Sequence, residues 1–178
     1  MKTKKQKGVI RGTILGVLVT ILALVLTILY NPFNYPLNLT FIEQLEVVFK
    51  SSILITLCLF IPIARLTKHR FLTAEDFDGG SVTKGSMKVK RLQFKLQSTF
   101  EQAILALFVY CAWIVIMPAE WIGVIPIMAI LFLCGRILFF LSYEQGTISK
   151  TLGLALSFYP TSFMLFSCLL YPTWQWLT

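Results

Sequence analysis

Charged residues are scarce in this 178-residue chain: 13% are Asp, Glu, Lys or Arg, whereas 57% are hydrophobic. This balance excludes an ordinary soluble domain, because the apolar residues form long runs and not one face of amphipathic helices. A bilayer core is crossed by about 20 helical residues, whereas a β-barrel needs alternating segments of about ten. The sequence therefore predicts an all-α membrane protein. Five runs are long enough to span, at about Val9–Tyr30, Leu45–Leu66, Phe94–Met117, Trp121–Tyr143 and Thr151–Tyr171.

The chain has a single histidine and no closely paired cysteines, which limits the metal and redox chemistry open to it. Each of the four cysteines falls in a different apolar run and none forms a CxxC pair. We interpret them as small hydrophobic residues. The lone histidine, His69, lies between Lys68 and Arg70. We interpret it as a solvated residue at the membrane surface and not as a general base.

The few acidic residues include a short group between the second and third runs. Thr73–Asp76 has the spacing of a capping box, and a turn signal follows at Asp78–Gly80. The carboxylates of Glu75, Asp76 and Asp78 lack a full metal-ligand pattern. We therefore predict a helix cap and a turn here, and no metal site.

Basic residues are distributed unevenly along the chain. The N-terminal tail through Arg11 carries five of the sixteen, the segment Arg65–Lys95 carries eight, and the loop at Lys150 carries one. These fourteen fall on one side of the predicted bundle, which leaves only Lys50 and Arg136. The positive-inside rule then predicts a cytoplasmic N-terminus and an external C-terminus. The first run could be a signal peptide, but Thr13–Tyr30 is uncharged for 18 residues and no small-x-small cleavage site follows, so we interpret it as a retained helix. The net charge of +8 indicates contact with anionic membrane lipid and not with nucleic acid.

Two ionisable residues, Glu101 and Arg136, lie inside otherwise apolar runs. A charge in the hydrocarbon core costs roughly 2.5–3.5 kcal/mol, so a membrane protein usually keeps one for a site or a buried pair. Each residue lies about 10 Å from the cytoplasmic end of its run, at 1.5 Å per residue. The connection Pro118–Glu120 is short, so we expect antiparallel neighbouring helices and predict a Glu101–Arg136 ion pair.

Two interpretations of that pair are open. It could lock the register of the two helices, as buried polar groups sometimes do. It could also belong to a ligand site, because Gln97, Ser98, Tyr143 and Lys150 converge on the same inner-leaflet level. A basic, polar cavity at that level would suit an anionic amphiphile or a charged thiol.

Three stretches of the chain resemble the MAPEG family, the membrane-associated proteins of eicosanoid and glutathione metabolism. They are FLTAEDFDG at 71–79, LQSTFEQ at 96–102, and GRILFFLSYEQGTISKTLG at 135–153 with LALSFYP following. The first resembles the acidic loop of bacterial members, and the others resemble a family helix motif and an arginine-rich hairpin. The resemblance covers about residues 45–172. It implies a four-helix unit to which the first helix is an addition.

The resemblance also implies a function. Family members are homotrimers that bind glutathione between subunits near the cytoplasmic face, where an arginine holds the thiol as a thiolate. The thiolate attacks a lipophilic electrophile or reduces lipid peroxides. By resemblance, Glu101 would hold the glutathione amino group, while Arg136, Gln97, Ser98 and Tyr143 would help to bind. A bacterial-type member would lie in the bacterial inner membrane.

The chain departs from the family pattern at three positions. Ser98 replaces the usual asparagine, Phe139 replaces a tyrosine, and Lys150 stands where active transferases carry an arginine. Lysine keeps the positive charge but cannot make the paired hydrogen bonds of an arginine guanidinium. Because the charge is kept, Lys150 is the candidate thiolate stabiliser. The alternative is a non-catalytic lipid-binding or scaffold protein on the same fold. The predicted organisation is a tail, extra helix and outer loop at 1–44, a membrane domain at 45–172, and an outer tail at 173–178.

Overall fold

The computed structural model describes residues 4–73, 76–77, 86–142 and 147–177. Five long α-helices run through these ranges, and no β-strand occurs in them. All five are long and apolar enough to cross a membrane, so the predicted all-α membrane architecture is confirmed. The helices are α1 (Lys4–Tyr30), α2 (Phe41–Leu72), α3 (Met87–Ile116), α4 (Val124–Ser142) and α5 (Thr147–Leu177), with a 3₁₀ turn at Ala119–Trp121 before α4.

The ends of α2 differ from the sequence prediction. The helix begins at Phe41 and not at Leu45, because Thr40 and Glu43 form a reciprocal capping box. Thr73, predicted to cap a following helix, is instead the C-cap of α2, directly after its last residue, Leu72. Its backbone N–H donates to the Arg70 carbonyl. The N-cap of α3 is Ser86, whose hydroxyl accepts from the Val89 N–H.

The bundle does not follow chain order. Helix α4 packs mainly against α5 and α2, whereas α3 packs mainly against α2 and α5. Helices α3 and α4 meet only narrowly, so the prediction that they are close neighbours along their length is wrong. The short connection at Ala119–Trp121 joins them at one end of the bundle, which we call the outer end, and each helix makes most of its contacts with α2 and α5. The opposite end is called the inner end.

Small residues bring two helix pairs into very close contact. A Cβ atom added at Gly135 of α4 would lie 2.8 Å from the Gly153 carbonyl oxygen of α5, and one added at Gly153 would lie 2.5 Å from the Phe139 nitrogen. In α1, Gly16 packs directly on Ala155 of α5. The first helix is therefore packed onto α5, and α4 is held tightly against the inner half of α5.

Candidate functional site

Arg136 is fully buried at the point where α4 faces α3. Its Nη2 donates to the Ser98 carbonyl oxygen at 2.9 Å. Its Nη1 lies 3.3 Å from Thr99 Oγ1 and 3.4 Å from Ser98 Oγ. The guanidinium therefore spans the narrow α3–α4 contact, and oxygen dipoles of one turn of α3 solvate it.

Two aromatic rings enclose the same guanidinium. The Cζ atom of Arg136 lies 5.4 Å from the centre of the Phe132 ring and 5.5 Å from that of Phe139. Both rings come from α4 itself, one turn on either side of the arginine, and both face the cation closely enough for cation–π attraction. Within the described ranges, Arg136 has no carboxylate partner and its Nε has no hydrogen-bond acceptor.

Glu101 lies on the outside of the bundle, so the predicted Glu101–Arg136 ion pair is wrong. Its carboxylate is exposed and accepts a 3.0 Å hydrogen bond from Gln97 Nε2. The helical repeat explains the separation, since residues two positions apart point about 200° away from each other. Thr99 faces inward to Arg136, so Glu101 must face outward.

Glu101 and Gln97 belong to an exposed stripe on α3, called the outer stripe, which continues to Phe94 one turn nearer the start of the helix. Lys150, at the start of α5, places its Nζ 5.8 Å from the centre of the Phe94 ring. The structure thus brings Lys150 to the same stripe as Glu101 and Gln97. The carboxylate of Glu101, the amide of Gln97 and the ammonium group of Lys150 therefore follow one another along this stripe.

Ser98 connects the outer stripe to the interior. Its side chain is half-buried beside Gln97, while both its carbonyl and its hydroxyl contact Arg136. Tyr143, the remaining predicted site residue, lies outside the described residues. Sequence reasoning did not assign Thr99 or Phe132 to the site. The available signal was spacing in the sequence. Thr99 directly follows Ser98, and Phe132 precedes Arg136 by one helical turn.

A second polar cluster joins the inner ends of α2 and α3. Asp76 is buried and accepts hydrogen bonds from the Ser86 hydroxyl at 2.7 Å and the Ser86 N–H at 2.8 Å. His69 Nε2 lies 3.1 Å from the same carboxylate. The bonds from Ser86, aided by His69, hold the pKa of Asp76 below its usual range despite burial. The prediction of a solvated His69 is therefore wrong, since its side chain is only 14% exposed.

We interpret this cluster as a structural contact and not as a catalytic site. The carboxylate lies between the serine and the histidine, so the histidine has no contact through which it could activate the hydroxyl. Within the described residues, no group of three or more His, Cys, Asp or Glu side chains could hold a metal ion.

Comparison with known proteins shows the family to which the chain belongs. Neither the curated proteins nor the solved structures give a match to the chain. The model of the MAPEG family matches residues 48–170, which is more than half of the sequence and includes most of α2 and all of α3 and α4. The chain is therefore an integral membrane protein that belongs to the MAPEG family.

Proposed function

We propose that the inner half of α3 binds glutathione, with Glu101 holding its amino group and Gln97 and Ser98 assisting. The observation that carries this proposal is the outer stripe, where an exposed carboxylate stands in a helix that is otherwise suited to lipid. Glutathione offers an ammonium group, two carboxylates and a thiol. The stripe offers an anion at Glu101 and a cation at Lys150, so the charges of ligand and protein are complementary.

Arg136 has a positioning role in this proposal. Its contacts with the carbonyl and hydroxyl of Ser98 fix the orientation of that turn of α3. A buried cation without a described carboxylate partner also adds a positive potential beneath the stripe, which favours an anionic ligand. Tyr143 is proposed to assist binding on the strength of the family resemblance alone.

A second copy of the chain completes the proposed site. Glu101 lies on the bundle exterior within a candidate membrane span, where a charge facing lipid would be costly. A homotrimer, which the family resemblance implies, would cover this stripe with a neighbouring subunit. Glutathione bound between subunits would then be shielded from lipid on both sides.

Lys150 is the proposed thiolate stabiliser. A nearby ammonium group favours the thiolate over the thiol, and one pKa unit corresponds to about 1.4 kcal/mol. The thiolate would attack a lipophilic electrophile or reduce a lipid peroxide, both of which reach the site through the membrane. Replacing Lys150 with alanine should therefore weaken the thiolate absorbance that appears when glutathione is added. An unchanged absorbance would show that Lys150 has no such role.

The binding proposal is tested by thermal unfolding of the purified full chain. Millimolar glutathione should raise the melting temperature, and Glu101→Gln should abolish that rise, because the amide cannot pair with the ammonium group. Glu120→Gln is a matched control, since Glu120 is exposed at the other end of the bundle. No rise with the wild-type chain, or an equal rise with Glu101→Gln, would refute the proposal.

A non-catalytic lipid-binding or scaffold protein is the second candidate function. It is favoured by the contacts of Arg136, which are all made with the protein's own groups and bridge α3 to α4. In that case Arg136 would serve stability alone, and glutathione would have no effect on unfolding.

A further inference from the structure

A cavity of about 650 Å³ lies between the inner ends of α2 and α3, apart from the outer stripe. Its volume is in the range of ligand sites, about 300–1,000 Å³. No acidic side chain of the described residues lines it. Six of its lining residues are basic or histidine: Arg65, Lys68 and His69 from α2, and Lys88, Arg91 and Lys95 from α3.

The helical repeat accounts for this concentration of positive charge. Arg65 and Lys68 are three residues apart on α2, and Lys88 and Arg91 are three residues apart on α3, so each pair shares one helix face. The two faces line one cavity. The like charges of Arg65 and Lys68 repel each other at this spacing. An anion in the cavity would offset that repulsion.

The cavity is separate from the proposed glutathione site. Its α3 lining, from Lys88 to Lys95, lies on the side of the helix that faces α2. Gln97 and Glu101 lie roughly 140° around the helix, at 3.6 residues per turn. A ligand in the cavity and a ligand on the outer stripe would therefore contact different faces of α3.

The remaining lining residues favour a lipid over a soluble anion. Leu72, Met87 and Leu92 give the cavity an apolar wall. A narrow crevice shares Arg65, Leu92 and Lys95 with the cavity and is also lined by the apolar side chains of Ile61, Pro62 and Phe140. Ile61 and Pro62 precede Arg65 by about one turn, toward the middle of α2 and the membrane interior. The positive charge at the helix ends matches the anionic headgroup of a phospholipid. The apolar surface nearer the membrane interior matches its acyl chains.

We propose that this cavity binds the headgroup phosphate of one anionic phospholipid. Arg65, Lys68 and Lys88 contact the phosphate, and the acyl chains extend over the apolar surface of Ile61 and Phe140 toward the membrane interior. Basic cavities between membrane helices at the cytoplasmic side are suited to anionic headgroups. The proposal does not depend on glutathione binding, because the two sites use different faces of α3.

The test compares two double variants of the purified full chain in detergent. Lys68→Gln/Lys88→Gln removes two positive charges from the cavity. Lys7→Gln/Lys90→Gln removes two from exposed positions that do not line it. Each protein is titrated with phosphatidylglycerol or phosphatidylcholine of equal chain length. Bound lipid is counted by native mass spectrometry, and melting in phosphatidylcholine verifies folding.

The wild-type chain should retain one phosphatidylglycerol per chain in preference to phosphatidylcholine. A lysine near an anionic headgroup contributes about fivefold in affinity, so the cavity variant should bind phosphatidylglycerol about 30-fold more weakly. The control variant should stay within about threefold of wild type, since a diffuse surface attraction is weaker than a cavity contact. Equal weakening in both variants, or no preference for phosphatidylglycerol, would overturn the proposal.

Two further arms identify the source of the anion and separate the two sites. Inorganic phosphate and glycerol phosphate should neither displace the lipid nor reproduce its effect on melting. If either one alone gave the full effect, the ligand would be a soluble anion and the lipid proposal would be wrong. The glutathione-induced rise in melting temperature should persist in Lys68→Gln/Lys88→Gln. Its loss there would assign the cavity to glutathione instead.

Discussion

Replacing Arg136 with methionine separates a functional role of this buried cation from a purely structural one. Methionine keeps a long, flexible side chain and removes the charge. The buried Thr99 hydroxyl remains bonded, since it also donates to the Lys95 carbonyl at 2.7 Å. The substitution therefore avoids a large cavity and leaves the Thr99 hydroxyl with a partner.

The magnitude follows from the contacts of the guanidinium. Three interhelical hydrogen bonds are lost. Such bonds contribute about 0.6 kcal/mol each in membrane proteins, or about 2 kcal/mol together. The two ring contacts contribute about 0.5–1 kcal/mol each. Removing the buried charge recovers roughly 2.5–3.5 kcal/mol of insertion cost, so the net change in unfolding free energy should be no more than about 1 kcal/mol.

The assay is reversible unfolding in mild detergent, run with and without glutathione. Arg136→Met should unfold with nearly the wild-type free energy but lose the stabilisation by glutathione, because the Ser98 turn is no longer fixed. Arg136→Lys is the companion variant, which keeps a charge but cannot make the forked contacts. A loss of about 3 kcal/mol or more in Arg136→Met would refute this reasoning, because it would equal the contribution of the lost contacts with no recovery from removing the charge.

Two other expected outcomes concern stability. Gly153→Ala should lower the unfolding free energy by about 1–3 kcal/mol, because its Cβ would lie 2.5 Å from the Phe139 nitrogen, a backbone atom that cannot rotate away. Gly123→Ala is the control, with its nearest neighbour at 3.5 Å, and equal losses in chemical denaturation would contradict the packing argument. Because the pKa of Asp76 is lowered from 3.8 in the fold, its carboxylate stabilises the protein above about pH 4, and this contribution is lost as the pH falls through the folded pKa. Asp76→Asn should therefore lose less melting temperature than wild type between pH 5 and pH 3, and parallel curves would refute the role of Asp76.

The sequence predicted the helices well because the bilayer requires long apolar runs. All five runs became helices, and α2 extended beyond its run at both ends, to Phe41 and Leu72. Its added inner turns carry charge and could not be read from hydropathy. The capping box of Thr40 and Glu43 was a readable signal for the outer end.

The sequence predicted where along α3 Arg136 makes contact, but the predicted partner was wrong. Depth along a helix follows from counting residues, and Arg136 does meet α3 within one turn of Glu101. Which face meets Arg136 depends on how α3 is rotated in the bundle. That rotation is set by packing against α2 and α5, and it places Thr99 inside and Glu101 outside.

The Asp76 cluster was missed for a related reason. Sequence spacing placed Asp76 in a local cap with Thr73, but its partners are His69 before it and Ser86 after it. These contacts form because the inner ends of α2 and α3 pack against each other. The spacing of residues within one segment of the sequence does not predict a contact between two helices.

The central claim, that the stripe containing Glu101 binds glutathione, is tested most directly by calorimetric titration of the purified protein. The wild-type chain should bind one glutathione per chain, and Glu101→Gln should show no saturable binding at the same concentrations. Absence of binding to wild type, or an unchanged isotherm with Glu101→Gln, would contradict the account.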